Sequence, residues 1–217
     1  MKKTGIFTLI FLFPFIAFAQ EQQAKDPKAM ALLDKAAAAF DSKKGVAADF
    51  IIIVENTRDD KKESIPGTIW LKGEKFKLSI KEVDTYFDGK TQSVYLKEAQ
   101  EVTISNPAKE DLKEINPVLL LKSYQNGYKM RFVETTQEGG KTIDVIDLYP
   151  EELKSPHARI TISIEKESMR LHSARVQGKD GVNTVLAIKK YDHTAVPDDV
   201  FIFNPNSIKG IEVVDLR

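Results

Sequence analysis

The chain of 217 residues has no cysteine, a single tryptophan, three histidines and no excess of either charge, with 32 basic side chains against 32 acidic. Each shortage removes a class of function. Without cysteine there is no disulfide, no thiolate nucleophile or metal ligand, and no cysteine-linked lipid anchor. A balanced charge without basic clusters lacks the electrostatic footprint of a nucleic-acid binder. His157, His172 and His193 stand 15 and 21 residues apart with no i, i+4 pair, so no metal motif is present. No G-x-S-x-G elbow, P-loop or G-x-G-x-x-G occurs. The adjacent carboxylates Asp59-Asp60, Glu151-Glu152 and Asp198-Asp199 sit in turn-like segments, whereas a glycosidase sets its pair on facing walls of a cleft. The sequence therefore predicts neither an enzyme nor a bound cofactor or metal.

Long apolar runs are also scarce. The one present follows Lys2 and Lys3, spans Gly5 to Phe18 and ends in Ala17-Phe18-Ala19, the pattern of a secretory signal cleaved after Ala19. Nothing else approaches the ~18 residues a membrane-spanning helix needs. The expectation is residues 1–19 as signal peptide and 20–217 as a single exported domain. Losing Lys2 and Lys3 leaves it near a net charge of −2. A chain this long can hold itself together by packing alone.

What the sequence does have is alternation. Asp26-Pro27 reads as an N-cap with proline at the first helical position, and Met30, Leu33, Ala37 and Phe40 recur at helical spacing before Gly45. From there the period becomes two. Phe76, Leu78 and Ile80 alternate with polar residues, as do Tyr128, Met130 and Phe132, and Ile160, Ile162 and Ile164. Further strands are expected at 46–57, 65–72, 83–87, 91–97, 100–105, 140–149, 168–178 and 182–192. Turn residues lie between several of them, at Asp88-Gly89, Glu138-Gly139-Gly140 and Lys179-Asp180-Gly181. Within 106–126, Asn116-Pro117 starts a second short helix that contains the apolar run Val118 to Leu121. Residues 50–54, Phe-Ile-Ile-Ile-Val, are apolar on both faces, which calls for cover on both sides of that strand. The leading helix suits one side; the other is either packed core or the wall of a cavity.

A cleaved signal, an alanine-rich helix, a long β meander and a proline-started insertion together resemble the LolA family of periplasmic outer-membrane lipoprotein carriers. Local segments are similar too. Ala48-Asp49-Phe50 looks like the family's first strand opening, and Gly67-Thr68-Ile69-Trp70-Leu71-Lys72 with Phe76 like its glycine–tryptophan strand. Asp88-Gly89-Lys90 with Tyr95, Asn116 to Leu121, and Val200-Phe201-Ile202-Phe203-Asn204-Pro205 with Gly210 to Val213 complete the likeness, which runs from about 27 to 215. The resemblance implies a mostly β (α+β) fold: an unclosed antiparallel β-barrel of about eleven strands, with the N-terminal and inserted helices forming a lid over an apolar cavity. It implies a monomeric periplasmic chaperone that accepts acylated lipoproteins from an inner-membrane lipoprotein-releasing ABC transporter and passes them to the outer membrane, with or without an acceptor protein there.

Residues expected to line such a cavity are Phe50, Ile52, Trp70, Phe76, Leu78 and Ile80 in the first half, and Met130, Phe132, Ile160 and Ile162 in the second. Leu120 is expected on the lid's underside. The family usually carries Arg-Pro after the tryptophan strand, an arginine that latches the lid. Gly73 stands in its place here, with Lys72 and Lys75 as the neighbouring cations that could substitute. Two other functions compete: a periplasmic carrier of another hydrophobic cargo, such as a glycolipid or pigment precursor, and a periplasmic hydrolase with no recognisable site.

Overall fold

Asp26 starts the first element and ties it to the last half of the chain. In the computed structural model, which describes residues 25–40, 44–108, 112, 124, 127–192 and 194–217, helix α1 spans Pro27–Phe40. The Asp26 Oδ1 accepts the free N–H groups of Lys28 (2.8 Å) and Ala29 (3.3 Å), while Oδ2 accepts that of Phe132 (2.9 Å). One carboxylate thus caps the helix and anchors it to a strand more than a hundred residues away. The buried face of α1 is Ala29, Leu32, Leu33, Ala36 and Ala37. Met30, expected on that face, is 38% exposed. Ala29 and Ala36 are fully buried, so the helix packs on its small residues and the long Met30 turns away.

The period-two segments become β1 (Val46–Asn56), β2 (Lys61–Lys72), β3 (Lys75–Ile80), β4 (Val83–Phe87), β5 (Gln92–Leu96), β6 (Glu101–Ser105), β7 (Tyr128–Glu138), β8 (Lys141–Pro150), β9 (His157–Glu165), β10 (Leu171–Gly178) and β11 (Val182–Asp192). All eleven expected strands are present. A twelfth, β12 (Glu212–Asp215), adds itself parallel to β6. The single sheet runs β12-β6-β5-β4-β3-β2-β1-β11-β10-β9-β8-β7 and does not close, since β12 and β7 stand at opposite edges. This is the unclosed antiparallel sheet with a leading helix that the sequence predicts. The expected helix at Asn116 lies outside the described residues.

β2 begins four residues earlier than expected, ahead of Pro66. β3 ends at Ile80 opposite Gly67, so beyond that point β2 has a neighbour on one side only. A residue without an N–H is tolerated there.

Asp26 should show its double role in pH-dependent stability. The Phe132 N–H first, with those of Lys28 and Ala29, holds its carboxyl below the ordinary 3.8. A lowered native value means stability that is complete above the unfolded value and lost as pH falls through the native one. Asp26→Ala should cost about 1 kcal/mol near neutrality. In thermal melts at graded pH, its deficit against the parent should shrink below about pH 4.

Candidate functional site: a curved apolar face under the leading helix

Strand pairing builds the site row by row. Ile52, Leu186, Ala174, Ile162, Ile146 and Phe132 are successive cross-strand partners from β1 to β7. One pleat further, Val54, Thr184, Val176, Ile160, Leu148 and Met130 form a parallel row. On the other side of β1, Ala48, Ile69, Leu78, Thr85 and Val94 line up through β5. Side chains in such rows share one face of the sheet. That face and the buried side of α1 form one continuous apolar cluster.

Within this cluster filling is uneven. Phe76, Ile146, Leu148, Ile162 and Ile164 are at most 1% exposed. Ile52, Leu78, Ile80, Phe132, Leu186 and Ile188 pack against them but are only half-buried. These half-buried residues keep part of their apolar surface exposed. Gly67 belongs to this wall for a steric reason, because a Cβ there would stand 2.4 Å from the Phe50 ring.

Of the expected lining residues, the structure gathers Phe50, Ile52, Phe76, Leu78, Ile80, Met130, Phe132, Ile160 and Ile162 into this one cluster. Trp70 is not among them. It pairs with Ala47 and Lys77 on the opposite face, packs with Val196, Val200 and Phe201, and takes the Lys77 ammonium over its ring at 5.0 Å. Sequence holds the signal that separates them: the Gly73-Glu74 turn pairs Lys72 with Lys75, which sets Trp70 opposite Lys77 and away from Leu78. The same register identifies Ile69 and Leu71 as wall residues, which alternation alone leaves undecided. Leu120 lies outside the described residues. From the insertion around it, Leu112 and Tyr124 are described, and both are buried in the cluster.

Polar groups on this face are few. Tyr191 donates its hydroxyl to the Leu171 carbonyl (2.7 Å), and burial raises the phenol's pKa. Burial also raises those of Tyr124 and Tyr128, whose rings meet edge to face. All three stay neutral near pH 7. Asp144, 3% exposed, accepts the Thr135 hydroxyl at 2.6 Å beside Ile164. The chemistry such a surface can perform is the enclosure of alkyl chains.

The cations beside Gly73 bind the C-terminal segment. Gly73 sits in the β2–β3 turn at φ +60° with open space where a side chain would start. Lys72 and Lys75 turn to the outer face and grip Asp198 at 2.9 and 2.8 Å, and Lys72 also reaches the Val196 carbonyl. The ammonium of Lys75, then that of Lys72, lowers the Asp198 pKa to about 2. Among the described residues, both lysines fasten the C-terminal segment to the outer face.

Comparison with known proteins now bears on this geometry. The sequence profile of the family described as outer membrane lipoprotein carrier protein LolA matches residues 16–173. The chain belongs to the LolA family. The match ends in β10, so β11 and the C-terminal segment lie beyond it. Among solved structures, an uncharacterized conserved protein from Thermus thermophilus shares the fold at a TM-score of 0.61 and 12% identity, over 87% of this chain and 99% of that one. A LolA superfamily protein from Nitrosomonas europaea aligns more loosely (TM-score 0.42, 12% identity, 81% and 97% coverage). So does the Mycobacterium tuberculosis lipoprotein LppX (TM-score 0.47, 15% identity, 79% and 99% coverage). No curated protein matches the sequence.

Two measurements separate the faces. Leu78→Gln places an unpartnered amide in the half-buried wall and should weaken binding of an apolar fluorescent probe roughly tenfold, the effect of about 1–2 kcal/mol, while Trp70→Gln leaves probe affinity unchanged. Lys72→Ala with Lys75→Ala should speed proteolysis near Asp198 and leave probe affinity as it was.

Proposed function

We propose that the protein is a periplasmic, non-enzymatic carrier that shields the acyl chains of lipoproteins on its curved apolar face and moves them from the inner to the outer membrane. What carries this reading is the mainly apolar rows from β1 to β7, whose Ile52, Leu186 and Phe132 are left half-buried in the cluster that α1 shares. Membership of a lipoprotein-carrier family supports it, as does the secretory pattern of residues 1–19. The partners that follow are acylated lipoproteins, an inner-membrane lipoprotein-releasing ABC transporter and an outer-membrane acceptor surface.

Magnitudes favour incomplete enclosure. A ~16-carbon chain fully buried at about 0.8 kcal/mol per methylene gains roughly 13 kcal/mol. Three such chains exceed the ~18–21 kcal/mol ceiling of non-covalent affinity. A carrier must release its cargo, so a wall that exposes part of its apolar surface and holds few polar anchors suits the task.

Phe76 and Ile162 are poor sites for testing this, because both are buried throughout and a glutamate there would unfold the chain. The direct test incubates spheroplasts making a labelled lipoprotein with the purified protein and probes the supernatant. A soluble one-to-one complex is the expected result, absent with the Leu78→Gln variant. Lipoprotein that stays in the membrane while extracted glycolipids bind would transfer the function to another hydrophobic cargo.

A further inference from the structure

The outer face of the sheet divides into three zones. Over β3 to β6 the C-terminal segment covers it: Phe203 stacks on Tyr86 and Tyr95 at 5.4 and 5.2 Å, and Asp198 is held by Lys72 and Lys75. Over β7 to β9 a polar network closes it, with the nearly buried Asp147 bound by Thr161, Tyr149 and Arg159 at 2.7, 3.0 and 3.2 Å. Between them lies the outer side of the strand whose two faces are both apolar. Ile51 pairs with Pro66 and Ala187, and Ile53 with Val185. Pro66 is exposed and the others half-buried. Among the described residues, no element covers this patch.

Charged residues border the patch, with cations in excess: Lys62 and Arg175 share Glu55, Lys81 pairs with Glu63, and Lys189 and Lys190 stand beside Asp49. The register shift between Asp49 and Phe50 leaves Lys189 as an extra residue in β11, so Lys189 and Lys190 stand consecutively on this face. Both are exposed, and neither forms an ion pair or hydrogen bond with a described residue. Asp49, the acid opposite Lys190, instead accepts the Thr68 hydroxyl at 2.8 Å. A shallow depression of about 410 Å³ opens at the Asp49 end of the patch, its lining including Asp49, Ile51, Pro66, Thr68, Lys81 and Lys189.

We propose that this outer patch of β2, β1 and β11 is a docking surface for an anionic lipid bilayer. An apolar centre bordered by the exposed Lys189 and Lys190 complements both layers of such a surface: acyl boundary for Ile51, Ile53 and Pro66, phosphate for these two lysines. The contact proposed is peripheral; no described helix is long and apolar enough to cross a membrane. It also lies on the opposite side of the sheet from the curved apolar face, so a membrane on one side leaves the other free.

Flotation of the 20–217 protein, without the apolar signal segment, with vesicles tests this. Vesicles of phosphatidylethanolamine with about one third phosphatidylglycerol should carry the protein upward, and phosphatidylcholine vesicles should not. Binding should fall steeply toward 0.5 M NaCl, where screening shortens the reach of exposed charges to about 4 Å. Lys189→Glu with Lys190→Glu should weaken flotation at least tenfold, with thermal melting and probe affinity of the curved face unchanged. Ile51→Ser should weaken it independently of salt. Equal flotation on neutral vesicles, salt-independent binding, or an unaltered double-lysine variant overturns the assignment. Failure to float, with lysine-dependent retention on immobilised polyglutamate, overturns it too and assigns the patch to an acidic protein surface.

Discussion

One pairing holds the molecule together: β1 against β11. Every other antiparallel contact in the sheet joins strands adjacent in sequence. β1 to β6 form one meander and β7 to β11 another, and only the ladder from Ala47–Asp192 to Asn56–Val182 makes them a single surface. Its chain separation is long, so closing it carries the loop entropy that the local hairpins avoid. Phe50, Ile52 and their partners Ile188 and Leu186 supply apolar burial at that junction, and α1 reinforces it by spanning from the edge at Met130 back to the start of β1. If that ladder fails, two half-surfaces remain, neither of them curved around anything.

The two faces of that junction answer different physical demands. Inside, rows of aliphatic side chains are packed fully at Ile146, Leu148 and Ile162 and loosely at Ile52, Leu78 and Leu186, so the core that stabilises the sheet merges into the surface proposed to receive cargo. Outside, polar networks and the C-terminal segment close the flanks. The bulge at Asp49/Phe50 serves both sides: it keeps Ile188 inside against Phe50 while turning two lysines out.

Much of this was legible in the residues. Period-two alternation located strands such as β3, β7 and β9 because each has one wetted face, β1 stood out as an apolar run, and the Asp26-Pro27 cap located α1. β12 escaped because four residues beside a parallel neighbour carry too little pattern. Alternation reports that two faces differ but not which is concave, which is why Trp70 was grouped with Phe76 and Leu78 although the hairpin at Gly73 opposes it. Met30 was misplaced because large apolar residues look like core, whereas Ala29 and Ala36 allow the closest approach. Lys72 and Lys75 showed charge near a lost arginine, and nothing local revealed that their partner, Asp198, comes from the far end of the chain.

That β12 and β7 never meet has a consequence for capacity. In a closed barrel, strand number and shear fix the radius, and the interior volume is a property of the topology. An open sheet has no such constraint. Its curvature is set by twist and by what lies between its walls, so its bore can adapt continuously to the girth of the contents. On the proposed carrier reading, one scaffold accommodates chains of differing length without any change of hydrogen-bonded register.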